Sequence, residues 1–425
     1  AACEAQQVRQ LKGFGAKTEE TILAGIPLAE QANERMYWAT ADAIVQDLLK
    51  HMRAEPSISQ MEVAGSYRRG RETIGDLDLL IDAPSADAVM DHFAQFPNVE
   101  DTIVRGGTKM SVRLASGLQI DLRVVPAKSF GAALQYFTGS KDHNVRLRGM
   151  AKDRGLKINE YGVFRVAEGE QEDEYLVGRT EEEVYQALDL PCFPPEQREA
   201  RQEFEWASNG KLPDLITVAD IQGDLHMHTT ASDGKATLLE MAEAARERGL
   251  KYIAITDHSK RVSMANGLDA KRLSNQCQQI DNLQAQFDDL RILKGIECDI
   301  LEKGGMDLPD DVLAEADWVI ASLHYGQRQP AEQINARLQE AVEHPHVSMI
   351  AHPTGRLINR RDAYAVDMEK LLAAARAHGK LLEINANPAR LDLDDVHAAA
   401  ARRHGIPLVI NTDAHHVDGL DVMRY

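Results

Sequence analysis

At roughly 100 to 200 residues per domain, a chain of 425 residues has room for two to four domains, each with its own core. Its 44% hydrophobic, 27% charged and 5% aromatic residues exclude a disordered or low-complexity chain, and no apolar run approaches the about 18 to 20 residues of a membrane span. A net charge of −19 excludes the coating of phosphate polymers by bulk electrostatics, so any phosphate binding must come from local basic patches.

Residues 1–60 have a helical pattern, broken at Leu11-Lys-Gly-Phe-Gly15 by a glycine hairpin whose backbone N–H groups, at Gly13 and Gly15, can face phosphate. The chain opens on Ala1 inside this pattern, has no signal-peptide pattern and reads as a fragment. From Met61 to Val125 the pattern turns to strands, at Leu77 to Asp82, Met110 to Leu114 and Leu118 to Val125, giving an α+β core. Asp76 and Asp78 lie two residues apart on a strand and share a face, and two like charges held together call for a cation. Asp121 occupies the matching point of a later strand and completes a carboxylate set suited to a pair of Mg²⁺ ions. The upstream Gly65-Ser66 turn can hold phosphate, with Arg69 adding charge.

A mixed segment runs to about Leu190. Between Lys141 and Lys157 it carries Lys141, Arg146, Arg148, Lys152, Arg154 and Lys157 against Asp142 and Asp153, which is a solvated basic face or a phosphate contact. The proline-rich, charged stretch 191–220 reads as a linker. Beyond Ile221, short apolar strands alternate with amphipathic helices, which implies a parallel, barrel-like α/β domain. Cys3, Cys192, Cys277 and Cys298 lack Cys-x-x-Cys spacing and read as reduced thiols of a cytoplasmic protein.

Of the 15 histidines, 12 follow residue 220, and several end predicted strands. A single strand-end histidine is more often a structural hydrogen-bonding residue than a ligand. A series of nine groups (His226, His228, Asp233, His258, Glu297, His324, His352, Asp413 and His415) instead suits two or three Zn²⁺ or Mn²⁺ ions, able to activate a water for in-line displacement at phosphorus.

The Gly65-Ser66 turn ahead of Asp76-Leu-Asp78 and Asp121 resembles the nucleotidyltransferase superfamily. Tyr136-Phe-Thr-Gly-Ser140 with Asn144 and Arg148 resembles the thumb of family X DNA polymerases. His226-Met-His228, Ser232-Asp233-Gly, Thr256-Asp-His258-Ser, Glu297, Ser322-Leu-His324, Ala351-His352-Pro-Thr-Gly-Arg356 and Asn411-Thr-Asp413-Ala-His415 resemble the polymerase and histidinol phosphatase (PHP) domain. In this order the motifs are those of bacterial and archaeal family X DNA polymerases with a C-terminal PHP domain, and the resemblance covers essentially the whole chain.

The resemblance implies a multidomain α+β and α/β protein: partial fingers at 1–60, a palm at 61–127, a thumb at 128–190 and, after the linker, a distorted (β/α)7 PHP barrel at 221–425. It implies Mg²⁺ or Mn²⁺ at Asp76, Asp78 and Asp121, and a nucleotide site at Gly65, Ser66, Arg69, Gly75, Tyr136, Phe137, Gly139 and Asn144. DNA contacts fall to Gly13, Gly15, Lys141 and Arg148, and a weaker phosphate contact to Arg356. The implied activities are gap-filling synthesis and metal-dependent 3'-to-5' exonuclease or 3'-end processing, by a monomer acting on DNA and deoxynucleoside triphosphates in the nucleoid-containing cytoplasm, with no membrane partner. The family's N-terminal helical domain and most of its fingers would precede Ala1, which bears on the grip on downstream DNA. One alternative is a small-molecule phosphatase of the histidinol phosphate type fused to a nucleotidyltransferase. The other is a non-catalytic DNA-binding scaffold, which requires a broken metal set.

Overall fold

A computed structural model describes Ala5, residues 7–10 and 15–17, Glu19, and residues 35–167 and 171–425. The glycine hairpin, with Gly13, lies outside these residues except for Gly15. The chain forms two compact units, Ala1–Asp214 and Leu215–Tyr425.

In the first unit, β1 (Met36–Tyr37) leads into the helix Trp38–Met52, followed by β2 (Gln60–Val63), β3 (Thr73–Ile74), β4 (Asp76–Asp82), β5 (Val99–Arg105), β6 (Lys109–Leu114) and β7 (Gln119–Val124). A five-stranded sheet has the order β2-β4-β7-β6-β5, and β1 pairs separately with β3. Only β4 and β7 run parallel; the other neighbours are antiparallel. Along β4 the period of two turns Leu77, Leu79 and Ile81 into a core with Val45, Leu48, Met90 and Phe93 from the covering helices. Asp76 and Asp78 therefore share the opposite face, where Leu80 packs on Phe130 and Ala133. The sequence pattern missed β2 and β5; β5 is a sheet edge whose residues 100–105 are exposed, so no apolar alternation marks it.

Helices Phe130–Thr138 and Lys141–Lys152 follow, the second capped by the Ser140 side chain, which accepts from His143 N. An antiparallel meander comprises β8 (Leu156–Asn159), β9 (Gly162–Arg165) and β10 (Glu174–Val177), and the helix Glu181–Gln186 follows it. The stretch read as a linker differs from that reading over residues 191–208. Phe193 and Phe204 are buried with Leu147, Val184 and Tyr185, so these prolines punctuate a packed segment.

The second unit is a parallel sheet in chain order: β11 (Gly223–Met227), β12 (Tyr252–Ile255), β13 (Arg291–Asp299), β14 (Trp318–Ser322), β15 (Met349–Ile350), β16 (Leu381–Asn385) and β17 (Leu408–Asn411). A bridge from Met227 to Ala414 brings the end of the last strand beside the first, so the barrel is nearly closed. Four helices between strands start on side-chain caps, Thr237 in a capping box with Glu240, then Asp269, Asp367 and Asp394, whereas Asp310–Leu313 and Ala331–Glu343 start after Pro309 and Pro330 without one. Among the described residues no helix is long and apolar enough to cross a membrane, and Cys192, Cys277 and Cys298 are free thiols.

Candidate metal centres in the two units

On β4 and β7, Asp78 stands in register opposite Asp121, and Asp76 opposite Gln119. Burial, together with the charges of Asp76 and Asp121, pushes the Asp78 carboxyl up to about 6, beyond what Arg123 and Lys109 offset. Asp121 lies below its ordinary value although burial opposes this, because Gln119 Nε2 donates to it at 2.8 Å and Lys109 Nζ sits at 3.0 Å. Gly65, at φ +67°, opens the short helix Gly65–Arg68, and a Cβ there would lie 2.9 Å from Asp78 Oδ2. Only glycine admits both this backbone conformation and this closeness to the carboxylate. Ser66 is half-buried on the same turn, and a Cβ at Gly75 would come within 3.0 Å of Arg35.

Several expected nucleotide contacts have partners within the protein. Arg69 donates from Nε to Glu199 at 2.7 Å and from Nη1 to the Thr138 carbonyl at 2.8 Å. Asn144 Nδ2 donates to the carbonyls of Tyr136 (2.7 Å) and Gly139 (3.1 Å), and its Oδ1 accepts from Gln135. Gly139 is needed there, since a Cβ would lie 2.6 Å from that Oδ1. Tyr136 and Phe137 meet edge to face at 5.1 Å, and the Arg123 guanidinium lies over Phe137 at 4.5 Å. Lys141 and Arg148 are exposed on their helix, and Gly15 is exposed.

In the second unit the nine expected ligands come from the C-terminal ends of the strands and the loops that follow. His226 and His228 lie at the end of β11 and Glu297 lies in β13; the others follow β11, β12, β14, β15 and β17. Three groups bring ligand atoms within 4.8 Å of one another: His228, Asp233, His258 and His415; His226, His228 and Asp413; and His258, Glu297 and His324. His352 joins them through Glu297, at 3.0 Å. Asp76, Asp78 and Asp121 form no such group; their carboxylates share a face without that closeness.

The electrostatics follow from crowding. Burial opposes charge on His226, yet Glu383, Asp413 and Glu297 hold it well above its ordinary value. Burial and the neighbouring His258 and His415 push His228 down to about 4. His415 rises to about 9 against burial through Asp233 and Asp413, while Asp233 falls to about 2 against burial through His415, His258 and His228. Glu297 and Asp413 lie well below the carboxylate range despite burial, each facing several imidazoles. His226 Nε2, His228 Nδ1, His258 Nδ1 and Glu297 Oε2 are buried without a hydrogen bond, although His258 Nδ1 and Glu297 Oε2 approach to 2.7 Å. Orphaned donor atoms of imidazole and carboxylate, turned to common points, fit divalent metal ions.

The sequence reading missed the residues behind these ligands. Glu383 accepts at 2.7 Å from His226 Nδ1 and from the His352 backbone N–H, and Asp299 holds His324 through its backbone N–H (2.9 Å) and Nδ1 (3.1 Å). Glu383 could have been suspected as a carboxylate inside the apolar run Leu381-Leu-Glu-Ile. Arg356 donates to the Leu391 carbonyl and lies 3.8 Å from Asp394, whereas Arg390 comes within 3.6 Å of Asp413.

The family model described as DNA polymerase beta palm matches residues 35–126, DNA polymerase beta thumb matches 133–199, and PHP domain matches 224–387. Over its full 425 residues the chain is 46% identical to a Bacillus subtilis (strain 168) protein named DNA polymerase/3'-5' exonuclease PolX, and it covers 74% of that protein. The chain belongs to the family X DNA polymerases that carry a PHP domain. This family X polymerase joins a nucleotidyltransferase to a metal-dependent hydrolase bearing ligand clusters for divalent ions. The chain is also 32% identical over 203 residues to a probable phosphatase of Caldanaerobacter subterraneus subsp. tengcongensis, covering 45% of this chain and 75% of that one. A probable phosphatase of Acetivibrio thermocellus is 30% identical over 204 residues, covering 45% of this polymerase and 78% of the relative.

Proposed function

We propose that the first unit extends DNA 3' ends at gaps and primer–template junctions with deoxynucleoside triphosphates, and that the second unit removes or processes 3'-terminal nucleotides. The observation that carries this reading is the presence in one chain of facing carboxylates on β4 and β7 and of eight imidazoles and carboxylates at the barrel end grouped closely enough to hold metal ions, with His352 joined to them through Glu297. In this reading 1–60 is the partial fingers, 61–127 the palm, 128–190 the thumb, 191–220 the connection and 221–425 the PHP domain. The protein acts as a monomer in the nucleoid-containing cytoplasm.

Asp76, Asp78 and Asp121 would hold two Mg²⁺ or Mn²⁺ ions, and the nine ligands two or three Zn²⁺ or Mn²⁺ ions. When bound, such ions supply Lewis acidity toward a hydroxyl or water and neutralise phosphoryl charge. The residues of the chain do the positioning. Gly65, lacking a side chain beside Asp78, lets a triphosphate approach the carboxylates, and Ser66 and Gly75 border the same face. Arg69 binds that triphosphate by exchanging Glu199 and the Thr138 carbonyl for phosphate oxygens. Tyr136 and Phe137 pack on the incoming sugar, while Gly139 and Asn144 shape the turn beneath it. Lys141 and Arg148, with the backbone of Gly13 and Gly15, take DNA phosphates. In the second unit Glu383 and Asp299 fix the rings of His226 and His324. Arg356 reaches a phosphate by leaving the Leu391 carbonyl and Asp394.

The test incubates the protein with Mn²⁺ and a labelled primer on gapped DNA, with and without nucleotides, and resolves products by length. Asp76→Ala is expected to abolish extension and spare shortening, and His228→Ala the reverse; loss of both activities in either variant would refute two separate sites. The likeness of nearly half of the chain to proteins named probable phosphatases favours a second reading, a small-molecule phosphatase. Turnover of a chromogenic phosphomonoester far above that of DNA ends would support it.

A further inference from the structure

A cleft of about 650 Å³ opens in the second unit between the helix Ala270–Gln284 and the loop after β11. It starts at Thr229, next in the chain to His228. Gln276, also in its wall, donates to Asp257, the carboxylate that accepts from the Thr229 backbone N–H at 2.9 Å. The cleft is thus continuous with the support of the ligand cluster.

Its outer wall is a row of amides. Asn275, Gln279 and Asn282 follow at intervals of four and three residues on one face of the helix, with Gln286 in the turn just past its end, while Leu273 and Ile280 turn into the core and Leu283, with Leu238, Leu239 and Leu268, adds an apolar side to the cleft. All four are exposed, and among the described residues none of their side chains has a hydrogen-bond partner. In a chain of net charge −19, among the described residues none lining this cleft is acidic. Arg272, the one basic lining residue among the described residues, is occupied by the backbone carbonyls of Asn266 (2.7 Å), Gly267 (2.9 Å) and Ala231.

This chemistry selects an occupant. A compact anion would require free cations, which the cleft lacks. A carboxamide presents one donor and one acceptor side by side, the complement of a base edge. At a rise of about 1.5 Å per residue the three amides on the helix are spaced by about 4.5 to 6 Å, wider than the about 3.4 Å between stacked bases. They therefore match bases that are unpaired and spread apart.

We propose that this cleft is a track for an unpaired DNA 3' strand, in which the amides contact the bases on the 5' side of the bond to be cut while the phosphodiesters face solvent. The proposal rests on the 3'-processing reading of the cluster and deepens it. The strand enters single-stranded, and its terminal nucleotide passes Thr229 to reach the ligands.

The experiment uses the full chain with Mn²⁺ and an oligothymidylate of about ten nucleotides, its 3'-terminal linkages made resistant as phosphorothioates. A single 5-iodouracil is placed two, three or four nucleotides from the end, and cross-linked peptides are mapped after irradiation. Cross-links are expected within residues 272–286; cross-links confined to other segments, while the unprotected strand is still shortened, would overturn the track and leave the processing activity standing. No shortening of the unprotected strand would remove that activity and the track with it. Independently, the double variant Gln279→Ala, Asn282→Ala, at exposed positions that spare the core, should raise KM for the single strand about tenfold with kcat held. An unchanged KM would count against the proposal.

Discussion

Asp78 shows how a single side chain is set against the stability of its own fold. Its carboxyl is raised to about 6 by burial and by Asp76 and Asp121, against about 3.9 in an unfolded chain. The folded state therefore holds the proton more tightly, so the unfavourable contribution is absent below about pH 4, grows with rising pH and is complete above about 6. Its upper bound is about 3 kcal/mol. In the presence of a chelator, Asp78→Asn is expected to melt above the wild type at pH 7.5, with the gap closing as the pH falls from 6 to 4. Added Mg²⁺ or Mn²⁺ should raise the wild type alone. A variant no more stable than wild type at pH 7.5 would contradict the placement of unneutralised charge at this position.

At the scale of elements, the turn Gly65–Arg68 joins the sheet to the helices that follow it. Gly65→Ala is expected to cost about 1 to 2 kcal/mol for a non-glycine residue at φ +67°. It should also weaken the metal dependence of extension, because the new methyl group displaces the Asp78 carboxylate; melting curves and the Mg²⁺ dependence of extension separate the two effects. On the same turn Arg68 forms a two-pronged pair with Glu181 at 2.9 and 2.7 Å, and the buried Arg198 binds the same carboxylate. Glu181→Gln leaves two guanidinium groups short of a counter-charge and should destabilise the first unit by about 3 kcal/mol or more in urea unfolding. A change under about 1 kcal/mol would mean that the two arginines find other partners. Short patterns made these elements visible unevenly. The period of two exposed Asp76 and Asp78 as a pair, whereas the partner of Arg69, Glu199, lies 130 residues away and nothing in either local pattern announces it.

For the molecule as a whole, metal removal should act mainly on the second unit, whose buried Glu297, Glu383 and Asp413 are balanced in its absence by imidazolium groups. Scanning calorimetry with and without a chelator is expected to show a fall of several degrees in the transition of that unit and a smaller change in the first. Without metal, His415, raised to about 9, contributes stability that is full below about pH 6.5 and is lost as the pH rises through 9. His228, lowered to about 4, contributes stability present above about 6.5 and lost as the pH falls through 4. The chelated protein should therefore have a narrower pH range of stability than the loaded one, and equal ranges would argue against metal as the partner of these groups.

Candidate ligands could be named from residue type and spacing alone, because a strand turns every second side chain to one face and a run of strand-end histidines and carboxylates has few other uses. Asp76, Asp78, Asp121 and all nine groups of the barrel end could be named in this way. Which atoms meet could not. Asp121 finds Asp78 through the parallel register of β4 and β7, and Glu383 closes on His226 across 157 residues. Asn144 spends its amide on the turn at Gly139, and Phe193 and Phe204 draw a proline-rich stretch into a core. Such contacts depend on which elements pack together, a property of the whole chain that local periodicity does not carry.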